Sequence, residues 1–150
     1  MCLITHHKIP EILEEDLTVY KVLSEDGISK YQNFKYEFNQ LYETDFSFVD
    51  KNNLSDWKYF DLIEAVALTK ALNKDLYSLK DLKEDGVLIC IAEGFHSATT
   101  TKRLRLFDEA YKFSYIQYEI FTCTVPKGAT IYRGYTDLIV SNQIIIHKTV

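Results

Sequence analysis

Apolar residues recur along this chain of 150 residues in two patterns, one typical of strands and one typical of helices. The run Leu17–Leu23 combines β-branched and aromatic residues and predicts a strand. The run Val87–Ile91 follows a glycine and contains only apolar residues, so it predicts a buried central strand. Four further strands are predicted late in the chain, a long one at 115–125 and shorter ones at 129–135, 137–140 and 144–147.

Two stretches have the three- and four-residue spacing of a helix. Apolar residues cover more than half of the circumference at 56–72, which predicts a well-buried helix. At 99–113, Leu104, Phe107 and Ala110 fall on one apolar face and predict a second helix. The polar stretch Glu93–Ala98 lies between the central strand and this helix, so we expect it to be a turn that caps the helix.

Turn-forming residues separate several of the predicted strands. The aromatic stretch Asn33–Phe48 predicts two strands joined at Asn39-Gln40, because asparagine tolerates the left-handed conformation that tight turns need. Pro126-Lys127-Gly128 predicts a turn, and Ser141-Asn142-Gln143 predicts a hairpin turn.

The order of these elements is strands, helices, one strand, one helix and then strands again. This order favours an α+β fold with a mostly antiparallel sheet over a doubly wound fold. We expect one domain over residues 1–150, with residues 1–10 as an extended arm and the two main helices, about 56–72 and 99–113, packed on the sheet.

Composition narrows the classes of function. The net charge of −5 argues against duplex nucleic acid as a partner, because that partner requires many lysines and arginines against its phosphates. The aromatic residues, 11 Tyr, 9 Phe and 1 Trp, fit an aromatic-rich sheet or an interface between subunits.

The three cysteines, Cys2, Cys90 and Cys123, are too widely spaced for a zinc site and their odd number matches no disulfide framework. We therefore expect no metal site and no cofactor. The sequence begins without a signal-peptide core, and no apolar run reaches the roughly 20 residues of a membrane span. These features predict a cytoplasmic protein that does not associate with membranes.

Candidate ligand-binding residues cluster near two predicted turns. His96, with Glu93 and Ser97 beside it, could hold a phosphate oxygen or act as a general base, or else simply cap neighbouring backbone groups. Arg133, with Tyr132 before it, could grip a phosphate or carboxylate, because its planar guanidinium matches two oxygens. Arg103 and Arg105 could assist. No complete set of catalytic residues is visible, so no catalytic residue is assigned.

Several short motifs resemble those of small uncharacterised proteins from bacteriophages and gut bacteria. The resemblance covers most of the chain from Tyr20 onward and implies a phage or mobile-element setting in a bacterial host, with no activity attached. Where those relatives carry glycine in the first hairpin, this chain has Asn39-Gln40. The motifs are Phe34-Lys35-Tyr36-Glu37, Leu41-Tyr42-Glu43, Glu93-Gly94-Phe95-His96-Ser97-Ala98 and Val125-Pro126-Lys127-Gly128-Ala129.

The leading hypothesis is a non-enzymatic binding protein for a small anionic ligand such as a nucleotide. The first alternative is a protein-interaction or structural module whose aromatic sheet face is the interface of a homo-oligomer. The second alternative is an enzyme that acts on a nucleotide or a phosphodiester.

Overall fold

The computed structural model describes residues 3–5, 9–29, 34–48, 89–102, 104, 118–134 and 137–148. These residues form eleven strands and no helix, so the expected α+β fold with two main helices is wrong, and the described chain is mainly β. The predicted helix at 56–72 lies outside the described residues. Within the predicted helix at 99–113, residues 99–102 form bends and a turn, Leu104 has a helical backbone, and the other residues lie outside the described part of the chain.

Two antiparallel sheets contain all of these strands. A large sheet has eight strands in the order β2-β9-β10-β7-β3-β8-β11-β4, and a small sheet has three in the order β1-β6-β5. In chain order the strands are β1 (Leu3–Thr5), β2 (Glu11–Ile12), β3 (Leu17–Ser24), β4 (Leu41–Glu43), β5 (Ser47–Phe48), β6 (Ile89–Glu93), β7 (Phe95–Ala98), β8 (Tyr118–Val125), β9 (Thr130–Arg133), β10 (Leu138–Ser141) and β11 (Gln143–Ile146).

The long central ladder of the large sheet joins β3 to β8. It runs from the Leu17–Val125 pair to the Ser24–Tyr118 pair without a break. The β-branched and aromatic residues of both strands suit a pleated surface, of which one side is buried and the other is partly exposed. This ladder confirms the strand predicted at 17–23 and the described part of the strand predicted at 115–125.

The large sheet bends sharply where β10 continues into β11. Only Asn142 separates these strands, yet β10 lies between β9 and β7, whereas β11 lies between β8 and β4. Asn142 Oδ1 accepts a hydrogen bond from the Thr130 amide (2.9 Å), and its carbonyl accepts one from the Thr44 amide (2.9 Å). The hairpin predicted at 141–143 is therefore wrong, because this residue turns the chain from one half of the sheet to the other.

The bend gives the large sheet an inner and an outer surface, which we call the concave face and the convex face. The concave face buries residues from both halves of the sheet in one core, and the small sheet covers the convex face with a second core. The concave core includes Leu13, Val19, Leu23, Tyr36, Phe95, Phe121, Cys123, Val125, Ala129, Ile131, Ile139, Ile144 and Ile146. The convex core includes Leu3, Ile91, Ala98, Leu104, Tyr132, Leu138 and Val140.

Gly94 carries the chain from the small sheet into the large one. Its φ of 143° is rare for residues with a side chain, and a Cβ there would lie 2.3 Å from Val140 Cγ1. The helix-capping turn predicted at Glu93–Ala98 is wrong, because these residues form the end of β6, this glycine and all of β7.

The two other predicted turns are present. Asn39 has a φ of 59°, as expected for a left-handed turn residue, and Lys127 and Gly128 form a turn closed by the Ala129 amide and the Pro126 carbonyl. The predicted hairpin around Asn39 is nevertheless wrong in its pairing, because β4 pairs with β11 and not with the residues before the turn.

Candidate functional site

The three residues predicted to form one site around His96 point in different directions. Ile139 of β10 pairs with Ser97, and the next residue, Val140, pairs with His96. Because side chains alternate along a strand, Ser97 lies on the concave face and His96 on the convex face. Glu93 is exposed and lies in β6 of the small sheet.

Tyr132 shares the convex face with His96. Both residues pair with Val140, one from each side, so they lie two strands apart, roughly 10 Å. The Tyr132 ring is buried and meets Phe46 and Phe48 edge-on, with ring centroids 5.0 and 6.0 Å away. Tyr132 therefore packs the large sheet against the segment that leads into β5.

The His96 ring is held by a backbone hydrogen bond. Its Nε2–H donates to the Ala92 carbonyl oxygen at 3.1 Å, which places the proton of the neutral ring on Nε2. Burial, together with the positive charge of Lys21, lowers the pKa of His96 to about 4. At neutral pH the imidazole is uncharged, so it offers an anion no opposite charge.

Arg133 lies on the other face and already has a partner. It pairs with Ile139, which puts it on the opposite side of the sheet from His96. Its Nε donates to Glu11 Oε2 at 2.8 Å and its Nη2 to Oε1 at 3.4 Å. The hydrogen bond from Arg133 lowers the pKa of the Glu11 carboxyl. Two further predicted ligands, Arg103 and Arg105, lie outside the described residues.

Lys21 is the functional candidate that sequence reasoning missed. It lies in the middle of β3 between Val19 and Leu23, on the concave face, and only 7% of its surface is exposed. Its Nζ donates a hydrogen bond to the His96 carbonyl oxygen and lies 5.8 Å from the centroid of the Tyr36 ring. Within the described part of the chain, no carboxylate is within ion-pair distance of this ammonium group.

Burial dominates the electrostatics around Lys21. It lowers the pKa of Lys21 itself to about 8, because the charged form is poorly solvated. Burial also raises the pKa of the Cys123 thiol to about 12 and raises the pKa of the Tyr36 hydroxyl. Both neighbours are therefore neutral at pH 7, so neither compensates the positive charge.

Ser97 supplies a second unusual polar group next to Lys21. The Tyr20–Ala98 pair joins β3 to β7, and Lys21 and Ser97 are the next residues on the two antiparallel strands, on the same face. Ser97 is 4% exposed, and its Oγ has no hydrogen-bond partner among the described residues. We refer to Lys21, Ser97, Tyr36 and Cys123 as the Lys21 cluster.

A signal for Lys21 was present in the sequence. Apolar and other residues alternate in LTVYKVL so that Lys21 shares a face with Val19 and Leu23. A lysine at a position where the alternation predicts a buried side chain indicates one of two things. Either the predicted register of the strand is wrong, or the strand buries a charge. Ser97 was predicted as a ligand, but as a partner of His96 and not of Lys21.

Comparisons with protein-family models, with curated proteins and with solved structures found no match for this chain. The resemblance to phage and gut-bacterial proteins therefore stays a prediction. In the parts of the chain that the structure describes, no helix has the length and apolar character needed to span a membrane.

Proposed function

We propose that this chain is a non-enzymatic binding protein for a small anionic ligand, and that Lys21 holds the anion. The observation that carries this proposal is the ammonium group of Lys21, which is buried in an apolar core without a carboxylate partner among the described residues. An unpaired buried charge costs several kcal/mol. An anion bound at Nζ would neutralise the buried charge and remove this cost. The free energy recovered in this way would add to the affinity for the anion.

The proposed class of ligand is the one predicted from the sequence, but the proposed binding residue is Lys21 instead of His96 and Arg133. His96 and Arg133 lie on opposite faces of the large sheet, and Glu11 already occupies the guanidinium of Arg133. Lys21, in contrast, has one acceptor among the described residues, the His96 carbonyl oxygen, for its three N–H groups. Its capacity for an external acceptor is therefore larger than that of either predicted residue.

The surroundings of Lys21 favour binding over catalysis. A mechanism that uses both a general base and a general acid needs two groups that can exchange protons near neutral pH. Among the described residues, the titratable neighbours of the ammonium group are Cys123 and Tyr36, whose ring centroid lies 5.8 Å from Nζ, and burial keeps the thiol and the phenol protonated at neutral pH. The imidazole of His96, the residue before Ser97 in β7, lies on the other face of the sheet.

A thermal-shift screen of the whole chain tests this function. The panel contains nucleotides, cyclic dinucleotides, phosphate esters and carboxylates, and the proteins are the wild type, Lys21→Met and the exposed control Lys127→Met. A ligand at 100 times its dissociation constant stabilises the folded state by about 2.7 kcal/mol. We expect a ligand that raises the melting temperature of the wild type and the control but not of Lys21→Met. An equal rise in all three proteins would overturn the proposal.

A second candidate function, self-association, rests on the two edges of the large sheet. Among the described strands the outermost are β2 and β4, and each presents an exposed large apolar side chain, Ile12 (67% exposed) on β2 and Leu41 (46% exposed) on β4. Unpaired strand edges with apolar residues favour pairing with another chain. Light scattering over a range of concentrations tests this, with Ile12→Lys and Leu41→Lys as variants that should abolish any oligomer. A monomer at every concentration would contradict it.

A further inference from the structure

We propose that the ligand of the Lys21 cluster is a monocarboxylate with an apolar body, whose carboxylate oxygens accept hydrogen bonds from Lys21 Nζ and Ser97 Oγ. This inference rests on the proposed function and names the chemistry of its ligand. It follows from three properties of the cluster: its charge, the N–H and O–H groups of Lys21 and Ser97 that have no acceptor among the described residues, and the side chains around them.

The charge of the cluster matches one negative charge. Lys21 is its only cationic member, and the thiol of Cys123 and hydroxyl of Tyr36 stay neutral at pH 7 because burial raises the pKa of each. A carboxylate carries one negative charge and would leave the buried site neutral. A phosphate monoester carries about 1.5 to 2 negative charges at pH 7 and would leave an excess buried charge. Nucleotides with several phosphates would leave more.

The donors of the cluster match two oxygen atoms. Lys21 has three N–H groups and gives one to the His96 carbonyl, and Ser97 has one O–H group without an acceptor among the described residues. Ser141 on the same face provides a contrast, because its Oγ donates to the Gln143 carbonyl oxygen at 2.9 Å. Of these two buried serines on the concave face, Ser97 is therefore the one with a donor available to a ligand.

The side chains around the cluster favour an apolar ligand body. Val19 and Leu23 flank Lys21 on its own strand, and Phe121 and Cys123 lie on the same face of the adjacent strand. A polar body such as a ribose or a purine would leave hydrogen-bonding groups unpaired against these side chains, which is costly. A hydrocarbon chain or an aryl ring has no such groups.

Calorimetric titration tests this inference with three eight-carbon ligands that differ in the head group and with a second pair that differs in both head group and body. The probes are octanoate, 1-octanol and octyl phosphate, with benzoate and AMP as a second pair, titrated into the intact wild-type protein. We expect octanoate or benzoate to bind, and 1-octanol, octyl phosphate and AMP to bind at least tenfold more weakly. A hydrogen bond to a charged group is worth about tenfold or more in affinity, so Ser97→Ala should weaken carboxylate binding by about that factor. Ser141→Ala is the matched control and should leave the affinity unchanged.

The possible outcomes separate this inference from the proposed function. Octyl phosphate or AMP binding more tightly than the carboxylates, with loss of binding in Lys21→Met, would overturn the carboxylate assignment and leave the proposed function standing. Carboxylate binding that Lys21→Met leaves unchanged would overturn both. No binding by any probe would also overturn the carboxylate assignment. The comparison of head groups uses only wild-type protein, so it holds even where a variant fails to fold.

Discussion

The concave and convex faces of the large sheet each hold a basic side chain, Lys21 and His96, and these two groups differ in charge and in hydrogen bonding. On the convex face, His96 gives up its charge, with a pKa near 4, and its ring N–H donates to the Ala92 carbonyl. On the concave face, Lys21 keeps its charge at pH 7, with a pKa near 8, and has one carbonyl acceptor and no carboxylate partner among the described residues. The half-buried His96 is thus neutral with its N–H group bonded, whereas Lys21 has N–H groups without an acceptor among the described residues.

This difference explains why our proposal places the anion at Lys21 and not at the histidine of the Gly94-Phe95-His96 stretch. A neutral imidazole can be buried at modest cost, because one backbone acceptor satisfies its single N–H. A buried ammonium group has three donors and a full charge, so the protein must supply a counter-ion or bear the cost. The unpaired Ser97 hydroxyl beside Lys21 adds a second group with the same need.

The largest effect on stability is expected from adding a side chain at Gly94. This change would disrupt the packing of the convex core and leave the residues of the Lys21 cluster unchanged. A Cβ there would overlap Val140 and lie 3.1 Å from the Phe46 ring, in a backbone conformation that is already unfavourable. We expect Gly94→Ala to lower the free energy of unfolding by about 3–5 kcal/mol, as the sum of overpacking and backbone strain. Chemical denaturation measures it.

Gly128→Ala is the matched control for this substitution. Gly128 also has a positive φ, 88°, but a Cβ there would have no atom within 4 Å. We expect only the backbone strain, about 1 kcal/mol. Equal losses for the two variants would show that packing between the sheets is not what Gly94 protects.

The next effect concerns the concave face and is expected to have the opposite sign. Lys21→Met replaces a buried charge with an apolar side chain of similar length, and we expect it to stabilise the protein by about 3 kcal/mol at pH 7. The unfolded lysine keeps its proton to a pH near its ordinary pKa of 10.5, whereas the folded one releases it near pH 8. Between these values the unfolded chain binds more protons, so the wild type gains stability as the pH rises.

The advantage of Lys21→Met should therefore shrink by about 2 kcal/mol between pH 7.5 and pH 10. Denaturant midpoints of both proteins across this range measure it, and the difference between them cancels the titration of Cys123 and Tyr36. A variant that is less stable than the wild type at pH 7 would show that the ammonium group is compensated within the fold, and would weaken the case for a ligand there.

Acid should affect the convex face through His96. Because its folded pKa lies near 4 and its ordinary pKa is 6.5, the unfolded chain takes up the proton first as the pH falls. The stability that depends on the neutral ring is then lost, by about 2 kcal/mol between pH 7 and pH 5. His96→Gln should lack this dependence. Denaturation of both proteins at pH 7, 6 and 5 tests it, and parallel curves would contradict the assignment of a neutral buried imidazole.

The smallest effect is expected at the surface pair between Arg133 and Glu11. Their side chains are 45% and 50% exposed, and exposed ion pairs contribute about 0.2–1 kcal/mol. A double-mutant cycle with Arg133→Ala and Glu11→Ala should give a coupling in that range, which falls as salt is added. If Arg133→Ala abolished ligand binding and Lys21→Met did not, the ligand would depend on Arg133, as the sequence predicted, and not on Lys21.

The sequence by itself determined several local features of this protein. Alternation defined β3, β-branched runs defined β8 and β11, and the turn residues Asn39 and Gly128 have the positive φ angles that their types permit. These features depend on period-two burial and on the allowed backbone angles, both of which involve only near neighbours in the chain. The same alternation already placed Lys21 on a buried face.

Only the tertiary structure decided which strands are neighbours and which polar residues meet. The strand-like Glu93–Ala98 resembled a helix-capping turn because Gly94 and polar residues interrupt it, but pairing with β10 and β3 holds β7 extended. The bend at Asn142 likewise placed β10 and β11 in separate halves of the sheet. Strand pairing depends on residues that are far apart in the chain. Pairing brings Lys21 next to Ser97, although 76 positions separate them in the sequence. It also places Ser97 and His96, which are adjacent in the sequence, on opposite faces of the sheet.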